Sequence, residues 1–424
     1  MRLSSVVPVL AIIAGCHPAP RLSSSPAPAL TIAEVARLHH DRQYFELRDR
    51  LAHVAATDSA PATLLARAII AHAMNKPAAS TAALRRLRTM AGVSDSVAAD
   101  ALELEISNAL RLADYAAGTR AVDTLLGGRF LLDSLRVSDA ENSRRIFTAL
   151  AGTRPQTMTT TGASTVALVH GHIPLVVNDS ARDYVFDTGA NLSTIMRSEA
   201  VAVGLHIIPA GLDVGTSTTA RVTADLGIAD SVRIGEMHFR NVVFLVLDDA
   251  MLTFPDGFRI PGIIGFPVIE QMGEIRLGRS SLSVPATPPA RAQQNLVLDE
   301  LTLLTPAQWQ HRPLLCRLDT GAGRTQVYEP FYRRYRPAID SASDTATRKM
   351  GSAGGVELTA VRVAHNVRLA VGDTAVSLPT LDVLVNSIAR DESSNYLDCN
   401  LGHDVFDQFG ETIVNFRDMA FLLR

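Results

Sequence analysis

The sequence predicts a multidomain protein in which an α-helical N-terminal region precedes an all-β, bilobal region. Three observations lead there. From residue 30 to about residue 153, apolar residues recur with helical spacing. After Arg154-Pro155 the texture changes to short Val-, Ile- and Leu-rich runs bounded by Gly, Asp, Asn and Pro, which is strand patterning. Within that second region two separate motifs recur in the same order at nearly the same spacing. With 424 residues, 47% of them hydrophobic, the chain can bury more than one core. A formal net charge of -3 leaves no basic footprint, so nucleic acid is excluded as a partner.

Met1 and Arg2 form a minimal positive start, and Leu3 to Ala14 form an apolar run too short to span a bilayer as an ordinary helix. That is the pattern of an export signal. It ends in Ile13-Ala14-Gly15-Cys16, which resembles the lipobox of bacterial lipoproteins. The resemblance implies a signal peptide over residues 1–16, lipidation of Cys16, and membrane attachment through that anchor. With His17 rather than Asp next, it also implies the periplasmic face of the outer membrane. A plain signal peptide with an incidental cysteine is the other reading. Residues 17–29, rich in Pro, Ser and Ala, form a flexible tether.

The helical region spans 30–153. Thr31 and Glu34 have the spacing of a capping box, with Ile32, Val35 and Leu38 following on one face. A second helix carries Tyr44, Leu47, Leu51 and Val54, and further helical stretches occupy about 61–74, 79–91 and 96–126. Tyr44, Ala78 and Tyr115 recur at close to the tetratricopeptide length of about 34 residues. The region therefore resembles such repeats and offers a surface for a protein partner, an irregular bundle being the alternative. His39-His40-Asp41 has no third ligand at zinc spacing and reads as a solvated helix end. Phe331 to Arg336 reads as an exposed helix face.

Thr157 to Thr161 form a polar connector, the first lobe covers 165–284, Val284 to Gln294 form a second connector, and the second lobe covers 295–424. FDTGANLSTI at 186–195 returns as LDTGAGRTQV at 318–327. IIGFPVIEQMGE at 263–274 returns as NLGHDVFDQFGE at 400–411, sharing Gly265 with Gly402, Val268 with Val405, Gln271 with Gln408, Gly273 with Gly410 and Glu274 with Glu411. Cys316 and Cys399 form either a disulfide or two buried thiols.

On these motifs residues 165–424 resemble the aspartic peptidases of the pepsin and retroviral-protease type. Tyr184-Val185-Phe186 precede Asp187-Thr188-Gly189-Ala190, with Ile263-Ile264-Gly265 downstream. Leu314, Leu315 and Leu318 flank Asp319-Thr320-Gly321-Ala322, with Asn400-Leu401-Gly402 downstream, and Asn400 departs from the apolar pattern. The resemblance implies two retropepsin-like lobes, a catalytic pair of Asp187 and Asp319, and endopeptidase action on a peptide or protein without metal or cofactor. Two carboxylates about 3 Å apart cannot both ionise, so one serves as base and the other as acid. Thr188 and Thr320 would bond across the lobe interface, and Gly189 and Gly321 would allow the tight turns. Gly215-Thr216 and Gly354-Gly355 are candidate flap tips, or ordinary hairpin turns. Ala190 and Ala322 carry no hydroxyl to stabilise an ionised acid, which implies activity nearer neutral pH than pepsin's. A non-catalytic peptide-binding envelope protein with the same fold is the competing function.

Overall fold

A computed structural model describes residues 30–128, 130–215, 222–352, 354–387 and 396–424. Cys16, the signal, the tether and Thr216 lie outside the described residues.

The N-terminal region is a series of helices, each packed against the next: α1 (Ile32–His40), α2 (Tyr44–Leu51), α3 (Pro61–Ala73), α4 (Pro77–Arg88), α5 (Asp95–Arg111), α6 (Tyr115–Leu126) and α7 (Ser134–Ala149). Their starts are chemically marked. Thr31 Oγ1 accepts the Glu34 N–H at 3.3 Å, while the Glu34 carboxylate turns away to Arg50. Pro61 and Pro77 occupy first-turn positions where no N–H is needed. The stretch 96–126, read above as one helical run, divides into α5 and α6. Ala113 takes a left-handed φ of 51°, and the Asp114 carboxylate caps α6 by accepting the Ala117 N–H at 3.0 Å. Helix α7, which the sequence reading did not single out, lays Phe147 over Gly118. A methyl at Gly118 would lie 2.4 Å from the Phe147 ring, so glycine permits this close approach.

Among the described residues the β-rich region holds two eight-stranded, barrel-like sheets and a five-stranded sheet between them. In the first half, strand Ser180–Phe186 runs parallel to Gly262–Ile264, and Ser193–Met196 runs antiparallel to that same short strand. In the second half, Arg312–Leu318 runs parallel to Cys399–Leu401, with Gln326–Val327 antiparallel to it. The sequence repeat is therefore also a repeat of strand pairing. Glu274–Gly278 of one half pairs antiparallel with Glu411–Asn415 of the other, forming the seam. Glu274 is fully buried there, ion-paired with Arg276 and Arg291 and hydrogen-bonded by the Asn415 amide.

One local reading changes and one open alternative is decided. Thr157–Thr160 is not a connector but an edge strand on Met237–Leu247, because four residues including three threonines suit an exposed strand edge. Cys316 and Cys399 sit opposite each other on the parallel strands and form a disulfide, with Cα atoms 4.5 Å apart.

The helices lie along both halves. Tyr44 and Arg42 reach the buried Asp299 of the second half, and Asn75 Nδ2 donates to the Phe416 carbonyl at 2.9 Å. Arg111 pairs with Glu270 of the first half at 3.0 Å. Asn142 on α7 exchanges two hydrogen bonds with the Asp213 backbone, at the root of the hairpin that joins His206–Val214 to Val222–Ile234. No helix among the described residues is long and apolar enough to cross a membrane.

Candidate active site

Each acid stands where a buried strand ends and the chain turns. The Asp187 N–H donates to the Ile264 carbonyl and the Asp319 N–H to the Leu401 carbonyl, both at 3.0 Å, so the two turns hang from equivalent strands. In each turn the alanine N–H folds back to the acid's own carbonyl at 3.3 Å. The downstream glycines pass beneath these turns. A methyl at Gly265 would lie 2.6 Å from the Leu192 carbonyl carbon, and one at Gly402 would lie 2.7 Å from the Ala322 oxygen. The Gly265 N–H donates to Ser193 Oγ at 3.0 Å and the Gly402 N–H to Thr325 Oγ1 at 3.1 Å. Ser193 and Thr325 went unnoticed in the sequence, although they occupy matching places in ANLSTI and AGRTQV.

The two turns interlock. Thr188 Oγ1 donates to the Leu318 carbonyl at 3.0 Å and accepts the Thr320 N–H at 3.1 Å. Thr320 Oγ1 donates to the Phe186 carbonyl at 2.9 Å and accepts the Thr188 N–H at 3.0 Å. Both side chains are buried, and each hydroxyl uses donor and acceptor together.

The interlock brings the acids face to face, each carboxylate over the glycine of the opposite turn. A methyl on Gly189 would fall 2.6 Å from Asp319 Cγ, and one on Gly321 would fall 2.4 Å from Asp187 Oδ2. Glycine is required by that approach. The Gly189 N–H donates to Asp187 Oδ1 at 2.7 Å, and the Gly321 N–H reaches both Asp319 Oδ1 at 2.9 Å and Asp187 Oδ1 at 3.2 Å. Burial first, and then the negative charge of Asp319, push the Asp187 carboxyl up to about 7.

Around the pair the halves differ. Asn400 Nδ2 donates to Asp319 Oδ2 at 2.8 Å, Arg317 Nη2 lies 3.3 Å from the same oxygen, and Arg317 Nε donates to Asn400 Oδ1 at 2.9 Å. The corresponding residues of the first half are Val185 and Ile263, which can offer neither charge nor hydrogen bond. Of this polar pair, sequence patterning flagged only Asn400, as a departure, and missed Arg317.

The candidate flap tips fare differently. The second-half hairpin, Ser343–Ser352 with Gly355–Val371, turns through Gly354, whose N–H donates to the Met251 carbonyl of the first half at 2.9 Å. Gly351 on that hairpin packs near Phe254. Gly355 has a φ of 123°, a conformation open to glycine. Gly215 is exposed and directly follows Val214, the last residue of the first-half strand to pair before the turn. Among the described residues no group of three His, Cys, Asp or Glu is placed to hold a metal ion.

Residues 173–268, which contain Asp187 and Gly265, match a family model described as aspartyl protease. The chain is also similar to a retropepsin-like aspartic protease from Rickettsia conorii, known from a crystal structure. The identity is 19%, over 32% of this chain and 98% of that one, with a TM-score of 0.21. A search of curated proteins finds no match.

Proposed function

We propose that the chain is an aspartic endopeptidase with two retropepsin-like lobes and a water-activating pair, Asp187 and Asp319. The observation that carries this is the crossing of the two carboxylates over each other's glycines, with a methyl's room on neither side. An acid raised to about 7 beside a second acid is what a shared proton requires. The ionised member takes a proton from water as the water oxygen attacks the peptide carbonyl carbon. The protonated member donates to the carbonyl oxygen, and the tetrahedral intermediate collapses as a proton passes to the departing nitrogen. Thr188, Gly189, Thr320 and Gly321 hold the geometry without taking part in proton transfer. The second-half hairpin tip at Gly354-Gly355 serves as a flap over the substrate, with Gly215-Thr216 as its candidate counterpart in the first half.

The rest of the reading concerns place and recognition. Export with lipidation at Cys16 would set the enzyme on the periplasmic side of a membrane, and the Cys316–Cys399 disulfide suits an oxidising compartment. Tyr44, Ala78 and Tyr115 each stand at the start of the second helix of a hairpin, which supports a tetratricopeptide-like arrangement with a protein-binding role.

The test is cleavage of a diverse peptide library by the purified chain across pH, beside Asp187→Asn and Asp319→Asn. Each substitution should lower kcat/KM by about 1,000-fold or more. Cleavage that survives either one removes the pair from the mechanism.

A further inference from the structure

We propose that Arg317 and Asn400 are positioning residues that fix the negative charge of the dyad on Asp319, leaving Asp187 to hold the proton. The proposal rests on the reading of the pair as a peptidase dyad and assigns a role to each member.

The argument begins with donor and acceptor accounting. Arginine has donors and no acceptor, so the Asn400 atom facing Arg317 Nε must be the carbonyl Oδ1. The amide Nδ2 then necessarily faces Asp319, and a nitrogen bearing two hydrogens can only donate. Arg317 Nη2 points at the same Oδ2, while the Gly321 and Ala322 N–H groups meet Oδ1 at 2.9 and 3.0 Å. Asp319 is thus surrounded by four donors, one of them permanently charged, an environment that suits a carboxylate and leaves little place for a proton. The donors that reach Asp187 from Gly189 and Gly321 both meet Oδ1, and the flanking strand positions are Val185 and Ile263.

Other groups that could tilt this balance are few. Tyr328, capping the helix Glu329–Ser341, has its hydroxyl 3.3 Å from Arg317 Nη2, the nitrogen that also faces Asp319 Oδ2, and so helps to fix the guanidinium. His403, opening the helix His403–Phe406, uses Nε2 on the Thr320 carbonyl at 2.9 Å and faces the turn rather than the carboxylates. Asp187 approaches from the opposite half.

The assignment sets the order of proton transfers. Asp319 accepts the water proton as the C–O bond forms, and Asp187 gives its proton to the carbonyl oxygen as the carbonyl π bond breaks. The proton on Asp319 then moves to the amide nitrogen as the C–N bond breaks, and Asp187 recovers a proton from the collapsing diol. Acid and amine leave, and the dyad returns to its starting state.

The test is the pH dependence of kcat/KM for Arg317→Leu, Arg317→Lys and Asn400→Leu. Removing the charge should move the acid limb up by about one pH unit. Lysine, which keeps the charge, should restore most of that shift, and Asn400→Leu should move the limb in the same direction. Activity lowered equally at every pH, with the limb unmoved, would mean a structural role only and overturn the proposal. Carboxyl carbon-13 titration of the parent protein, with the pair assigned from Asp187→Asn and Asp319→Asn, needs neither activity nor a folded Arg317 variant. Asp187 should remain protonated after Asp319 has ionised, and the reverse order overturns the assignment. A parent that titrates in the expected order yet cleaves nothing would count against the proposed function and not against the charge placement.

Discussion

Two strand pairs lead into the two acids, and their backbones agree while their side chains do not. In the first half the pair is Tyr184-Val185 beside Gly262-Ile263; in the second it is Cys316-Arg317 beside Cys399-Asn400. The first half fills the space above Gly262 with the Tyr184 ring, whose atoms would lie 2.6 Å from any added methyl, and ties the hydroxyl to Glu199 at 3.0 Å. The second half closes the same place with a covalent bond. One residue further on, apolar Val185 and Ile263 stand where the other half has a guanidinium and an amide. A duplicated framework can therefore keep its hydrogen-bond register and still make its two acids chemically unequal.

The largest test of this contrast is removal of the disulfide. Cys316→Ser with Cys399→Ser opens a closed loop with a sequence separation of 83, and the stability loss should be about 3–5 kcal/mol, read by denaturant unfolding of the double variant against the parent. Tyr184→Ala in the first half should cost a similar amount through its cavity, about 3–5 kcal/mol. A much smaller loss for Tyr184→Ala would mean that the two solutions are not equivalent.

Next comes the charge itself. Because the folded protein raises the Asp187 carboxyl to about 7, it binds that proton more tightly than the unfolded chain does. The associated stability is complete below the ordinary aspartate range and is lost as pH rises toward 7. Asp187→Asn should accordingly gain on the parent from pH 4 to pH 7.5, by roughly 2–4 kcal/mol at the upper end. Calorimetry at the two pH values checks it, and a difference that shrinks with rising pH would contradict the sign.

The crossed glycines sharpen the comparison further. Gly189→Ala pushes a methyl into Asp319, which Arg317 and Asn400 hold in place, whereas Gly321→Ala pushes into the less tethered Asp187. Gly189→Ala should lower kcat/KM by about 100-fold and Gly321→Ala by less. Equal losses would argue that both carboxylates are held alike. The smallest effect belongs to Tyr184→Phe, which removes one hydroxyl and should cost about 1 kcal/mol of stability without altering the pH profile.

Much of the site was readable in the residues because it is written twice. The paired Asp-Thr-Gly-Ala motifs, their downstream glycines and the crossing threonines all recur, and repetition separates signal from coincidence. Apart from Ser193 and Thr325, which recur in place but not in residue type, what was missed occurs once. Arg317 looks like any strand arginine until Asn400 and Asp319 are brought beside it by a parallel pairing that no local pattern encodes. The disulfide depended on the same pairing. In the helical region, the break between α5 and α6 had its signal in Asp114, a good capping residue that a long Ala- and Leu-rich run obscured. The Tyr44 and Arg42 contacts with Asp299 join residues far apart in sequence and lie beyond periodicity altogether.

The interlocked threonines also limit how far the two halves can differ. Thr188 closes on the Leu318 carbonyl and Thr320 on the Phe186 carbonyl, so each copy's turn is completed by main chain from the other. Replacing either threonine by valine within the intact pair would leave a buried N–H and a strand-end carbonyl without partners, at a cost of about 1–3 kcal/mol for each group. The halves can therefore differ in the side chains around their acids, but not in the turns that hold them.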